Sequence, residues 1–173
     1  MRSYLMPDAL FDHYYDLTPA YLLQCGVRVL LLDIDNTLVP YEQPVPDSAL
    51  RAWLGALADA GIAVAFVSNN HADRVTLFNR ELGLPAYPDA KKPLKRTVLH
   101  VLHDLGASRG EAAIMGDQIF TDVYAAKRVG MRAYLVPPIR DKRDWLTRCK
   151  RLLEKPIIKR YQKKNRKGIE KND

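Results

Sequence analysis

Four short apolar runs, each followed by a turn and then by a segment with helical spacing, constrain this chain more than any other feature. The runs are rich in Val, Ile, Leu and Ala and lack polar alternation, which is typical of strands buried on both faces. Strands that alternate with helices favour a parallel sheet between helical layers. We therefore predict an α/β fold, a three-layer and Rossmann-like parallel sheet flanked by helices. The predicted strands are residues 27–33, 62–67, 112–115 and 132–136.

Capping and stop residues place helices between these strands. Asp47 can cap a helix that runs to Ala60, with Gly61 as its stop. Near the N-terminus, Thr18 can cap a short helix that Gly26 stops. The other predicted helices begin at Asn70 or His71 and end near Gly83, run from Pro93 to about Leu105, run from Thr121 to Gly130, follow Pro7 as a short segment, and span about 142–153.

The composition predicts one domain over residues 1–154, with a helical N-terminal extension over about 1–26, and a basic, flexible tail over 155–173. A chain of 173 residues with 47% hydrophobic content can fill one core. The tail has eight Lys and Arg against two acids, so it carries +6 of the net charge of +7. The rest is nearly neutral, which is not typical of a nucleic-acid-binding fold. The tail can be a solvated end, or it can contact RNA or anionic lipid.

The sequence shows no sign of a membrane span or a secretion signal. Its apolar runs are far shorter than the roughly 20 residues that cross a bilayer. Asp8 and Asp12 interrupt what would be the apolar part of a signal peptide. We expect a cytoplasmic protein, peripheral to a membrane if the tail binds lipid. The aromatic residues of the N-terminal extension are expected to pack on the sheet or its helices.

Two carboxylates, Asp33 and Asp35, stand where the first predicted strand ends. The carboxyl ends of parallel strands form the edge where open α/β folds bind ligands. Two acids this close repel one another unless a cation lies between them, so the pair favours a bound hard divalent ion. The spacing alone is a weak signal, because such a pair is more often a solvated loop or a turn cap.

Polar groups suited to phosphate chemistry follow the later strands at the same edge. Hydroxyl, amide and backbone N–H groups can hold phosphate oxygens, and a lysine adds a cation. These groups are Ser68, Asn69 and Asn70 after the second strand, Lys91 and Lys92 before the third helix, and Asp117 and Asp122 after the third strand. Asp33, Asp35 and Asp117 could surround one ion, with Asp122 as a further ligand or just outside the ligand set.

Taken in order, these residues resemble the four motifs of the haloacid dehalogenase (HAD) hydrolases. The matching segments are D-x-D-x-T-L at 33–38, the strand-ending Ser68, the Lys92-Pro93 pair of the third subfamily, and G-D-x-x-x-x-D at 116–122. The resemblance covers about residues 27–136. More narrowly, D-I-D-N-T-L-V, S-N-N, A-K-K-P and G-D-Q-x-x-T-D-V resemble the YqeG-type group, which is related to phosphatidylglycerophosphate phosphatases.

The resemblance implies a HAD-like phosphatase that works through a covalent aspartyl phosphate. Asp33 would be the nucleophile, and Asp35 would protonate the leaving oxygen and then activate water. Lys92 and Ser68 would stabilise charge on the transferred oxygens, with Lys91 as the alternative to Lys92. Mg²⁺ would be held by Asp33, the backbone carbonyl of Asp35 and Asp117, so that the candidate metal residues are Asp33, Asp35, Asp117 and Asp122. The candidate phosphate-binding residues are Ser68, Asn69 and Lys92.

The chain has little room for the cap that selects small substrates in many HAD enzymes, so it resembles the capless members. An open site suits a large substrate or a headgroup that protrudes from a membrane. The leading candidate is therefore a lipid phosphate such as phosphatidylglycerophosphate. A phosphatase of nucleic acid or protein and a non-catalytic phosphate- or RNA-binding module are the alternatives. The intact set of acids counts against a binding module, and Asp35 favours turnover over the stable phosphoaspartate of a receiver domain.

Overall fold

The computed structural model describes residues 4–140 and 152–163, which form a parallel sheet with helices on both faces. Its six strands are all parallel and lie in the order β1-β6-β5-β2-β3-β4. This confirms the predicted α/β fold and its three layers. The strands are β1 Ala9–Leu10, β2 Val29–Leu32, β3 Ala63–Val67, β4 Ala86–Tyr87, β5 Ala112–Gly116 and β6 Arg132–Leu135.

Five α-helices lie before and between the longer strands of the described residues. They are α1 Pro19–Gln24, α2 Ser48–Asp59, α3 Ala72–Asn79, α4 Lys95–Asp104 and α5 Tyr124–Val129. A π-helical turn, Ile119–Val123, leads directly into α5, and the 3₁₀ turns Tyr14–Asp16 and Arg109–Glu111 lie in connections. Residues 152–163 form a further helix, called here the C-terminal helix.

The central strand β2 explains why its sequence shows no polar alternation. Leu30 and Leu32 enter the core cluster that contains residues of α2 and α3. Val29 and Leu31 enter a second cluster with residues of α4 and α5. Because successive side chains of a strand point to opposite faces, a strand covered on both faces must be apolar throughout.

The predicted short helix after Pro7 is wrong, because this segment forms the edge strand β1. The backbone N–H of Asp8 donates to Ala133 O at 2.8 Å, and that of Phe11 donates to Leu135 O at 3.0 Å. The open edge of β6 therefore satisfies the backbone groups that a helix would have paired internally. Phe11 packs edge-on against Tyr134 of β6, as expected of an N-terminal aromatic residue that covers the sheet.

Three helix boundaries differ from the prediction. The third helix begins at Lys95 rather than at Pro93, and the Lys92–Pro93 peptide before it is cis. The fourth begins as the π-helical turn at Ile119, so Thr121 lies inside it, and its hydroxyl donates to Asp122 instead of capping the helix. The second ends at Asn79, whose side-chain amide bonds the backbone of Leu84 in the connection to β4.

The C-terminal helix packs on the domain through a few defined contacts. Glu154 is buried, and its Oε1 accepts the backbone N–H of Ile119 at 2.7 Å. Ile157 and Ile158 pack against the core cluster of α4 and α5. The predicted start of the tail at residue 155 thus falls inside a helix, while most of the predicted helix over 142–153 lies outside the described residues. Within residues 4–140 and 152–163, no helix is long and apolar enough to cross a bilayer.

Candidate active site

The site lies at the edge formed by the carboxyl ends of the central strands. Asp33 follows β2, Ser68 follows β3 and Asp117 follows β5. Since β2 pairs with both β3 and β5, the three strand ends are neighbours. We call this the catalytic edge. The prediction that the polar groups of the motifs meet at one edge is confirmed for these three residues.

Three buried carboxylates form a compact cluster at this edge. Asp33, Asp117 and Asp122 each place one oxygen within 4.8 Å of the others. Lys92 lies among them, with its Nζ 2.7 Å from Asp33 Oδ1 and 2.6 Å from Asp122 Oδ1. When all four groups are ionised, the cluster has an excess of two negative charges, which one divalent cation cancels. Carboxylate oxygens are also the ligands that hard cations prefer, so the cluster fits such an ion.

Lys92, and not Lys91, contacts the acids. Burial alone would lower the pKa of Lys92, but the nearby carboxylates of Asp122 and Asp33 raise it above its ordinary value, so the side chain stays an ammonium. Asn69 fixes the backbone of Lys92, because its side chain accepts the Lys92 N–H at 2.7 Å and donates to the Lys92 carbonyl at 3.1 Å. Lys91 is exposed.

Asp122 is held against Lys92 by a glycine and two hydrogen bonds. It accepts from the backbone N–H of Gln118 at 3.2 Å and from the Thr121 hydroxyl at 3.0 Å. A Cβ at Gly116 would overlap the Asp122 side chain, so the glycine makes room for the carboxylate. This packing explains why a glycine precedes Asp117 in the fourth motif.

The hydroxyl of Thr37 lies between Asp33, the candidate nucleophile, and Asp117. This hydroxyl is 3.2 Å from Asp33 Oδ2 and 3.5 Å from Asp117 Oδ1. The loop reaches this position through Asn36, which adopts φ 64°, in the left-handed region where asparagine is better tolerated than most residues. The motif reveals no such role for Thr37, because its hydroxyl meets Asp117 only once β2 and β5 are paired.

The carboxylate of Asp35 does not belong to the acid cluster. Its Oδ1 accepts from Arg74 Nε at 3.1 Å and Nη2 at 3.0 Å, and its Oδ2 accepts from Asn70 Nδ2 at 2.9 Å. The side chain of Asp35 is therefore directed by α3 and the turn before it. The sequence analysis missed Arg74. Its position in the first turn of α3, the helix that follows Ser68, is the one sequence feature that places it near the catalytic edge.

The candidate phosphate-binding residues differ in what they already bind. Ser68 is buried at the end of β3, where its Oγ accepts the backbone N–H of Asn70 at 3.1 Å and its hydroxyl proton can still be donated. Both polar atoms of the Asn69 side chain are engaged with the backbone of Lys92. The Asn69 amide thus positions the lysine, and a phosphate contact from Asn69 would come from its backbone.

The comparisons with known proteins agree with this geometry. The HAD-hydrolase-like family model matches residues 90–152. The protein named "Probable phosphatase YqeG" from Bacillus subtilis is 30% identical over 164 residues, which cover 95% of each chain. The protein named "Phosphatidylglycerophosphate phosphatase 1, chloroplastic/mitochondrial" from Arabidopsis thaliana is 24% identical over 98% of this chain, which spans 51% of that protein.

A solved structure shows the same fold. It is assigned to subfamily III A of the HAD superfamily and comes from Legionella pneumophila. Its TM-score is 0.51 at 21% identity, with 66% of this chain and 69% of that chain covered. The resemblance drawn from the motifs is confirmed by the Bacillus relative and by this fold. The chain belongs to the HAD superfamily of hydrolases and is a phosphatase that acts on phosphoric monoesters.

Proposed function

We propose that this phosphatase is Mg²⁺-dependent, works through a phosphorylated Asp33 and acts on a lipid phosphate such as phosphatidylglycerophosphate. The observation that carries the mechanism is the position of Asp33, a buried carboxylate between Lys92 and the two other acids of the cluster. A carboxylate in this place can attack a phosphate only if the negative charge around it is compensated.

The acid cluster supports a metal site with a defined set of residues. Asp33 and Asp117 would hold Mg²⁺, together with the backbone carbonyl of Asp35. Asp122 accepts a hydrogen bond from the Lys92 ammonium at 2.6 Å. We propose that its main role is to hold this lysine in place. Bound Mg²⁺ would supply a positive charge that reduces the repulsion between the nucleophile and the phosphate.

The residues present account for both halves of the reaction. One oxygen of Asp33 forms a bond to phosphorus while the bond to the leaving oxygen breaks, and Asp35 gives that oxygen a proton. Asp35, now a carboxylate, takes a proton from water as the water oxygen bonds to phosphorus. The bond from phosphorus to Asp33 then breaks, which releases phosphate. Lys92, the Ser68 hydroxyl and backbone N–H groups after β3 would stabilise the charge on the three transferred oxygens.

Two features of the catalytic edge support a lipid substrate. The connections over the site are short, since β3 and β4 are joined through α3 alone and β2 leads to α2 through residues 33–47. Loops at this edge also expose large apolar side chains, namely Tyr41 at 49%, Leu94 at 53% and Ile139 at 44% exposure. Apolar side chains around an open site suit a substrate whose phosphate stands at an apolar surface.

The C-terminal helix adds positive charge on the outside of the domain. Its residues Lys155, Lys159, Arg160 and Lys163 are exposed, while Ile157 and Ile158 turn towards the core. Each cation near an anionic membrane contributes about 1 kcal/mol of attraction. The similarity to the Arabidopsis phosphatidylglycerophosphate phosphatase points the same way.

The test is phosphate release from phosphatidylglycerophosphate in micelles and from an aryl phosphate, with Asp33→Asn and a sample treated with EDTA alongside. Release from the lipid that the substitution and EDTA both abolish supports the whole proposal. Activity on the aryl phosphate alone supports the phosphatase chemistry and refutes the lipid substrate. Phosphorylated nucleic acid and phosphorylated peptide would then be tested as substrates. Turnover that persists in EDTA or in Asp33→Asn would refute the mechanism.

A further inference from the structure

The side chain of Arg74 joins Asp35 to the loop that leads from the first motif to α2. Two of its N–H groups donate to Asp35 Oδ1. Two further bonds go to the carbonyls of Gln43, at 2.8 Å, and Pro44, at 3.1 Å. The guanidinium also lies over the ring of Phe78, 5.5 Å from its centroid. Arg74 belongs to none of the four motifs.

The two carboxylate oxygens of Asp35 have different hydrogen-bond partners. A carboxylate oxygen has two acceptor positions. At Oδ1 both are filled by Arg74, which together with Asn70 at Oδ2 restrains the carboxylate at both of its oxygens. At Oδ2 one position accepts from Asn70, which leaves the other to accept or donate a proton. The arrangement is largely enclosed, since the side chains of Arg74 and Asp35 are 14% and 10% exposed.

We infer that Arg74 is a positioning residue that holds Asp35 by Oδ1, so that Oδ2 is the oxygen that exchanges protons with the leaving group and with water. The inference rests on the proposed function, in which Asp35 is the acid and base. General acid catalysis requires the acid within hydrogen-bond reach of the leaving oxygen in a defined direction. If the Asp35 carboxylate could rotate freely, Oδ2 would point towards the leaving oxygen for only part of the time.

A lysine cannot replace this contact. Lys carries the same charge, but its ammonium is a single point on a flexible stem and cannot hold one oxygen with two N–H groups in a fixed plane. It also cannot reach Asp35 and the two loop carbonyls with the same geometry. Arg74→Lys therefore separates the effect of charge from the effect of orientation, and Arg74→Gln removes both.

Two substrates separate positioning from a general structural effect. An alkyl phosphate needs its leaving oxygen protonated, whereas the leaving group of p-nitrophenyl phosphate is stable as an anion and needs no acid. The value of kcat/KM reports the steps up to phosphorylation of Asp33 for both. We expect Arg74→Lys to lower kcat/KM for the alkyl phosphate about 100-fold, the lower range for loss of acid catalysis. For p-nitrophenyl phosphate we expect a change of no more than about threefold.

The control is Arg51→Lys, because Arg51 pairs with the exposed Glu81, which follows the end of α3 that is farther from the catalytic edge. It should change neither kcat/KM nor thermal stability. Equal losses for both substrates in Arg74→Lys and Arg74→Gln, together with a lower melting temperature, would make Arg74 a structural residue and overturn the inference. Unchanged rates for both substrates would overturn it as well. The wild-type arm reports separately on the proposed function, since absence of Mg²⁺-dependent turnover there would refute the mechanism itself.

Discussion

Replacing Lys92 with methionine should strongly destabilise this protein, because it removes the ammonium that pairs with the buried carboxylates of Asp33 and Asp122. The ammonium lies 2.7 Å from Asp33 and 2.6 Å from Asp122. Coulomb's law at an effective dielectric constant of about 20 gives about 6 kcal/mol for each pair. Desolvation of the charges offsets much of this, and removal of one partner from a buried ion pair costs about 3–5 kcal/mol.

The assay is thermal unfolding followed by circular dichroism. For a domain of this size, about 3–5 kcal/mol corresponds to a fall in Tm of about 6–20 °C. Lys91→Met is the matched control, since the neighbouring lysine is exposed and its loss should change Tm little. Saturating Mg²⁺ should raise Tm more in Lys92→Met than in wild type, because a cation that binds the folded state stabilises it and the variant site is more negative.

Two results would refute this reasoning. If Lys92→Met melts at the wild-type temperature without Mg²⁺, the acids do not depend on the lysine for compensation. If Lys91→Met loses as much stability as Lys92→Met, the effect is one of general surface charge. Phosphatase activity should be lost in Lys92→Met in either case, so activity alone does not test the electrostatic reasoning.

The remaining predictions concern the support of the site. Gly116→Ala should displace Asp122 and lower the free energy of unfolding by about 1–3 kcal/mol. Gly55→Ala is the control, because a Cβ there meets nothing within 4 Å, and it should raise the free energy of unfolding by about 0.4–1 kcal/mol. Urea unfolding measures both, and equal behaviour of the two variants would contradict the packing at Gly116. Glu154→Ala should cost about 1–3 kcal/mol, because the N–H of Ile119 loses its acceptor. An unchanged urea midpoint in Glu154→Ala, with exposed Lys155→Ala as its control, would contradict that role.

The central part of the fold was predictable because burial on both faces leaves a clear pattern in the sequence. Strands β2, β3, β5 and β6 lie within or close to their predicted ranges. The edge strands β1 and β4 have two residues each and were not predicted. Strands this short have no periodicity, and they exist because their backbone groups meet a neighbouring strand, which local sequence does not reveal.

The site was predictable to the extent that strand ends determine it. Asp33, Ser68 and Asp117 follow buried strands, and the adjacency of Lys92 to Pro93 selected the lysine that contacts Asp33. The partners of Asp35 were not predictable, because Arg74 lies 39 residues along the chain and meets it only after α3 packs on the sheet. The Asn69 amide was expected to face phosphate, yet it bonds the backbone of Lys92, a contact that depends on the loop before α4.

The two-residue strands at both ends of the sheet also affect how this protein can associate with other copies of itself. A long exposed edge strand is a template for strand addition, and short edges limit that route to aggregation. Beside β1, the Asp8 carbonyl accepts the hydroxyl of Tyr161 from the C-terminal helix at 3.2 Å. A chain shortened to end before Tyr161 would leave that carbonyl without this donor. We therefore expect such a truncation to self-associate more readily than the full chain.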